Sequence, residues 1–376
     1  GLETRMEKAG LSAWGAEHRL QWGLRAERHR FSDRRTVGEV GEILHEGNRG
    51  RLTRDEPYRA WAYSAFLQDE ITAGDWTIVP GVRAERYQQR RQRVFPTVEP
   101  REEHEESVFL PGISVLYSGW ERAQLFASVQ RGYTPATARG SDFPLTPEIG
   151  INTQVGLRSS LTAGLSIEVA GFYNRLSDTL VQLPFIDPET FASVVINAED
   201  SRAYGADLGV RFDSARLTGS AYNLFAALAY NYTDATFTGG LSKGNRVPEI
   251  PLHTGSLTVG VEHARGWHIS ATLSHEGRFF TDPANTGAPI LANEDGEPLG
   301  PGDVIDLREP IVLGMVPGRT LLSARASYTL AGTDATIWVQ GRNLTDKEYI
   351  SDYSNGLRPG APRAVIAGVT VRFRGD

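Results

Sequence analysis

Apolar and polar residues alternate along most of the chain over runs of about 8 to 12 positions, the signature of strands with one wet face, and helical periodicity is scarce. Leu165, Ile167, Val169, Gly171 and Tyr173 take odd positions, with Ser166, Glu168 and Asn174 between them. Ala206, Leu208, Val210 and Phe212 oppose Asp207, Gly209, Arg211 and Asp213 in the same way. Tyr222, Leu224, Ala226, Leu228, Tyr230 and Tyr232 share one face, and the other carries Asn223, Ala227, Ala229, Asn231 and Thr233.

The pattern predicts strands near residues 18–32, 58–72, 76–94, 106–118, 123–134, 148–158, 164–183, 197–213, 220–237, 252–264, 267–280, 319–330, 334–350 and 361–373, with a possible remnant at 2–8. These about fourteen strands are longer than the usual 5 or 6 residues of globular proteins and match the 9 to 11 that cross a bilayer at a tilt. Short turns at residues 73–75, 118–122, 159–163, 214–219, 264–266 and 331–333 alternate with long loops at 33–57, 95–105, 135–147, 184–196, 238–251, 281–318 and 351–360. Tight turns at one end and extended loops at the other are how outer-membrane barrels are built. A hydrocarbon solvent leaves backbone groups no partner, so strands cross it only in a closed ladder, one face toward lipid and one toward water. The competing reading is a soluble all-β protein with one wet face.

Composition narrows this. The mean hydropathy of -0.32 is compatible with a wall that is apolar on one face only. No run of 18 apolar residues is present, which rules out a helical span. With 0 Cys, disulfide scaffolds, thiolate metal sites and cysteine nucleophiles are excluded. The formal net charge of -7 argues against a general nucleic-acid binder. The sequence opens at Gly1 without a targeting peptide, so the protein is either cytosolic or its beginning is missing. Tyr117, Trp120, Tyr133, Tyr173, Tyr204 and Trp267 stand near strand ends, where an interface girdle or ordinary β-propensity puts aromatics. No nucleotide loop, G-x-S-x-G elbow or H-E-x-x-H helix is present.

Four segments carry a family resemblance. Gly341–Tyr349 (GRNLTDKEY) is similar to the "NLFDKxY" segment, and Gly360-Ala361-Pro362-Arg363 to the "G-x-P-R" entry to the last strand, of TonB-dependent outer-membrane receptors. Phe126–Pro135 resembles their "S-x-G-F/Y-x-P" strand end, followed at Leu145–Glu148 by an "L-x-P-E" loop exit. Gly244–Pro248, Pro251–Thr254 and Phe279–Thr286 resemble receptors of the ferric-citrate type. The last strand, with Val365, Ala367, Val369, Val371 and Phe373 on one face, resembles the terminal strand recognised by barrel-insertion machinery, apart from the three residues after its aromatic.

The resemblance implies an all-β, antiparallel transmembrane barrel of about 22 strands around a plug in a complete receptor. Residues 1–376 are then a single incomplete domain, the C-terminal portion of that barrel, without plug or energy-coupling box. It further implies uptake of a ferric chelate, ferric citrate or another siderophore, driven by the TonB-ExbB-ExbD complex of the inner membrane. No catalytic residue or resident cofactor is implied, and outer-membrane lipid and lipopolysaccharide are the surroundings. The alternative is a self-contained, porin-like passive channel of about fourteen strands. A barrel enzyme would require a catalytic constellation that the sequence does not assemble.

An anionic chelate calls for guanidinium groups, which grip carboxylates bidentately. The candidates are Arg131, Arg139, Arg246, Arg278, Arg308 and Arg358, with Tyr133, Gln182, Asn285 and Asn355 as neutral donors; each also reads as a solvated loop or lumen residue. The run Arg83, Arg86, Arg90, Arg91 and Arg93, followed by Glu99, Glu102, Glu103, Glu105 and Glu106, reads as a solvated strand tip, a ligand gate or a lipopolysaccharide contact. His253, His263, His268 and His275 show no metal-ligand spacing.

Overall fold

The computed structural model describes residues 1–37, 50–136, 145–186, 193–197, 199–287, 291–292, 312–352 and 358–372. Fifteen strands form one sheet. They are β1 Leu2–Ala13, β2 Ala16–Val37, β3 Arg51–Ala73, β4 Trp76–Arg91, β5 Glu102–Trp120, β6 Ala123–Thr134, β7 Glu148–Thr162 and β8 Leu165–Ser177. They continue with β9 Ser201–Asp213, β10 Tyr222–Phe237, β11 His253–His263, β12 Trp267–Glu276, β13 Arg319–Thr329, β14 Ala335–Arg342 and β15 Ala364–Val371. Each pairs antiparallel with its sequence neighbours, so β1 and β15 are the two edges of the described sheet. The predicted remnant at 2–8 is therefore a full strand, β1.

Short and long connections alternate as the sequence pattern predicts. One of the two-residue turns joins β1 to β2 through Trp14 (φ 51) and Gly15 (φ 77), the pair of left-handed residues that such a hairpin needs to match strand twist. The join from β9 to β10 holds a single helical turn, Ala215–Thr218, closed by Gly219 in the left-handed region.

The register sorts side chains onto two faces, because directly paired residues point the same way. One outward row reads Leu125, Leu157, Val169, Leu208 and Tyr230 across five strands. Large apolar side chains on this face stand uncovered by protein, among them Val129, Val155, Val259, Ile269 and Val369. Aromatics bound the apolar band. Trp76, Tyr117 and Trp120 contact one another at the short-turn end, as do Tyr222, His263 and Trp267. Tyr63, Tyr173, Tyr204 and Tyr230 stand toward the long loops. Tyr222 and Tyr230 are eight residues apart on β10, about 26 Å along the strand and about 20 Å in height at a tilt of about 40°, close to the apolar band of a transmembrane barrel.

The inward face is polar, and its aromatics lie over glycines on the neighbouring strand. A side-chain carbon at Gly156 would strike the Phe126 ring, one at Gly205 the Phe172 ring, one at Gly260 the Phe225 ring and one at Gly368 the Trp338 ring. Such pairs shield a bare stretch of ladder while the absent side chain lets the wall curve. Beyond the upper tyrosines, β3 and β4 carry a buried cluster in which Arg54 pairs with Glu56, Arg91 reaches Glu56 at 3.6 Å, and Tyr58 stacks on Phe31 at 4.6 Å.

Three predicted strands overshoot the sheet. The one at 164–183 ends at Ser177, where Asp178 turns to φ 56, and Leu180–Ile186 pairs instead with Ser193–Asn197 in a separate ribbon. The one at 334–350 ends at Arg342, because Asn343 takes φ 45. The one at 267–280 ends at Glu276, and Phe279–Phe280 pairs with Met315–Val316.

Candidate functional site

The inward wall is a lattice of short hydrogen bonds and matched charges. Gln68 donates to Gln21 and Gln21 to Glu7, at 2.8 and 2.9 Å. Asn231 donates to Asp207 at 2.7 Å, and Arg158 grips the Glu168 carboxylate with two nitrogens at 2.8 and 3.2 Å. Arg25 pairs with Glu27 at 2.5 Å, and Arg319 with Glu276 at 3.0 Å. Arg325 lies over the Trp338 ring at 4.8 Å. These partners come from adjacent strands or from positions two apart on one strand, as the period of two requires.

Above the wall, each motif segment closes a loop onto another. Asn285 accepts from the Arg246 N–H at 2.6 Å and donates to the Arg246 carbonyl at 2.9 Å. Asn245 donates to the Pro283 carbonyl at 2.9 Å, and the buried Thr281 donates to the Gly314 carbonyl at 2.9 Å. The loop after β10 is thus buttoned to the loop after β12. Asn343 accepts from the Lys347 N–H and donates to the Lys347 and Ala361 carbonyls, while Asp346 accepts from the Arg363 N–H at 3.0 Å. Thr146 and Asn197 exchange hydrogen bonds of 2.8 and 2.9 Å, and Glu148 accepts from the Leu180 N–H at 3.0 Å.

Several groups in this upper zone, about five residues beyond the tyrosine row, are shifted, among them Glu148 and Tyr58. Burial raises the Glu148 carboxyl, with hydrogen bonds from the Leu180 N–H and the Thr134 hydroxyl opposing it. Burial, followed by the Glu56 charge, raises the Tyr58 phenol. Among the described residues, no group of three or more His, Cys, Asp or Glu could hold a metal ion.

The sequence candidates do not converge on one point. Arg246 faces Asp234 at 3.6 Å and shares the loop button with Asn285, whose amide is fully engaged there. Burial, followed by the Glu85 charge, raises the Tyr133 phenol, with the Glu106 and Tyr87 charges acting in the same direction. Arg131 pairs across to Ile151, an outward residue, and donates to the Phe109 carbonyl at 3.3 Å. Arg278 is exposed at the exit of β12. Arg358 is exposed on a small ribbon with Asp352. Gln182 lies in the Leu180–Ile186 ribbon, opposite Val195. Arg139, Arg308 and Asn355 lie outside the described residues. Sequence reasoning missed the lumen lattice, although strand parity marks Asp207, Asn231, Arg158 and Glu168 as facing the same way. It also missed that the arginine run of β4 divides, with Arg83 and Arg91 inward and Arg86 and Arg90 outward.

Comparison with known proteins agrees with this architecture. The metal-pseudopaline receptor CntO of Pseudomonas aeruginosa is 27% identical over 327 residues, which is 83% of this chain and 41% of that protein. The unliganded ferric citrate transporter FecA superposes with a TM-score of 0.72 at 22% identity, over 98% of this chain and 53% of that one. The copper transporter OprC gives 0.65 at 14% identity, over 99% and 56%. The chain thus spans about half or less of each relative's length. Both the curated relative and the two solved structures are named as receptors or transporters. Residues 4–344 match the TonB dependent receptor-like β-barrel family, and with a wall apolar outside, polar inside and buttoned by its motif loops, the chain belongs to that family.

Proposed function

We propose that this chain is the C-terminal barrel wall of an outer-membrane receptor that imports an anionic metal chelate, ferric citrate or another ferric siderophore, with energy delivered by the TonB-ExbB-ExbD complex. The observation that carries the reading is the family match across nearly the whole sheet, joined to a lumen face of neutralised charges that asks no ligand to bind midway. Recognition then belongs to the loop surface, where Arg246, Arg278 and Arg358 supply guanidinium groups above the wall and Tyr133 and Asn285 order it.

The test is uptake by cells expressing the receptor that contains this chain in a strain lacking its other metal-chelate receptors. Radiolabelled ferric citrate, a ferric hydroxamate and a nickel chelate are supplied separately, with and without a protonophore. Saturable uptake of one chelate that stops when the proton gradient collapses supports the reading. Uptake that is unsaturable and indifferent to the protonophore overturns it in favour of a passive channel.

A further inference from the structure

We propose that the outward face of β2, β3 and β4, just above the apolar band, binds the phosphates of a phosphorylated glycolipid of the surrounding outer leaflet. The register builds this face rung by rung. Leu24, Ala65, Ala84 and Phe109 form an apolar rung. The rung above is Ala26, Tyr63, Arg86 and Ser107, then Arg28, Trp61, Gln88 and Glu105, then Arg30, Arg59, Arg90 and Glu103. Successive rungs rise by about 6.7 Å along the strands, so the five guanidinium groups lie between about 7 and 20 Å beyond the apolar rung along the strands, about 5 to 15 Å in height at a tilt of about 40°. That is the height of lipid headgroups.

All five arginines are exposed, whereas Arg54 and Arg91, which face inward on β3 and β4, are buried. Arg86 and Arg90 have carboxylate partners, Glu105 at 2.5 Å and Glu103 at 3.0 Å. Arg28, Arg30 and Arg59 have none among the described residues.

Like charges directly opposed across strands destabilise a sheet, and here Arg30 opposes Arg59, which opposes Arg90. On the inward face the same strands answer their arginines with acids: Arg25 with Glu27, Arg83 with Glu85, Arg54 with Glu56. The outer face leaves Arg28, Arg30 and Arg59 without a carboxylate among the described residues, where anionic headgroups are at hand. Trp61 is flanked by the guanidinium groups of Arg28 at 5.7 Å and Arg90 at 5.5 Å, which holds both side chains against the wall and aims them along it. Guanidinium forks match phosphate oxygens two at a time.

The proposal rests on the chain forming a membrane barrel, and the test separates the two. The full receptor containing this chain is purified in mild detergent, delipidated, and exposed to lipid A carrying both phosphates; glycolipid retained after washing is quantified. A heat-modifiable gel shift reports barrel formation independently. The expected results are salt-sensitive retention by the unaltered receptor and about a tenfold loss when Arg30, Arg59 and Arg90 become Gln. Loss is smaller for Arg59→Lys, which keeps the charge. The unaltered receptor, which needs no variant to fold, should retain dephosphorylated lipid A at least about tenfold less well. Equal retention of the dephosphorylated lipid, equal retention by a heat-modifiable triple variant, or one-for-one displacement by phosphatidylglycerol would each overturn the assignment.

Discussion

Gly205 offers a sharp test of how the wall holds its curvature. It lies on the inward face of β9, between Phe172 of β8 and Thr233 of β10. A methyl group there would fall within the van der Waals shell of the Tyr232 carbonyl oxygen and 2.7 Å from the tip of the Phe172 ring. The ring can swing aside, but the carbonyl belongs to the ladder and cannot. Gly205→Ala must therefore push β10 away from β9 or forfeit a ladder hydrogen bond. Overpacking costs about 1–3 kcal/mol, and where a backbone bond is lost as well about 0.5–1.5 kcal/mol more, so the variant should lose at least about 1 and at most about 4.5 kcal/mol. Gly209 supplies the control: it sits four residues further on the same strand and face, and an added methyl group would meet nothing nearer than 4.0 Å. Gly209→Ala should cost less than about 0.5 kcal/mol. Urea unfolding of the receptor in detergent micelles, followed by tryptophan fluorescence and by heat-modifiable mobility, measures both variants against the parent. Equal midpoints for the two variants would refute the argument that steric closeness, rather than glycine as such, is what the wall requires.

Other predictions concern the loops, the wall and the edges. Asn285→Ala should release the loop after β12 from the loop after β10, raising the rate of limited proteolysis there and costing about 1–3 kcal/mol locally, with insertion into the membrane unchanged. Arg158→Ala removes an exposed lumen pair and should shift stability by no more than about 1 kcal/mol, read from the same urea titration. The 376-residue chain expressed alone should give no heat-modifiable species in outer membranes, because β1 and β15 would meet lipid with unpaired backbone groups; a folded, membrane-integrated product would contradict this.

The order of strands, and all but the first of them as full strands, were legible in the sequence because lipid enforces the period of two on one face alone: the odd set from Leu165 to Tyr173 is indeed outward, as is the even set from Tyr222 to Tyr232. Strand ends were less legible. At Asp178 and Asn343 single residues in the left-handed region stop the ladder, and nothing in the hydropathy of the segments beyond them announces it. The candidate site was legible as motifs but not as contacts. Asn285 and Arg246 are 39 residues apart, and only folding shows that the asparagine is spent on a backbone rather than held out to a ligand. The orientation of Arg86 and Arg90 could have been read by parity from Ala84 and Val82, since the inward residues of β4 are the odd ones.

The pairing of Arg158 with Glu168 and of Arg319 with Glu276 makes the bore electrically bland at close range. On the proposed import reading, a charged traveller would meet a plus and a minus together at each of these pairs, and would find there neither a well deep enough to detain it nor a hill high enough to turn it back. Such a corridor would contribute no discrimination of its own, so that on this reading the choosing of cargo falls to the doorway and the passage is free to favour speed.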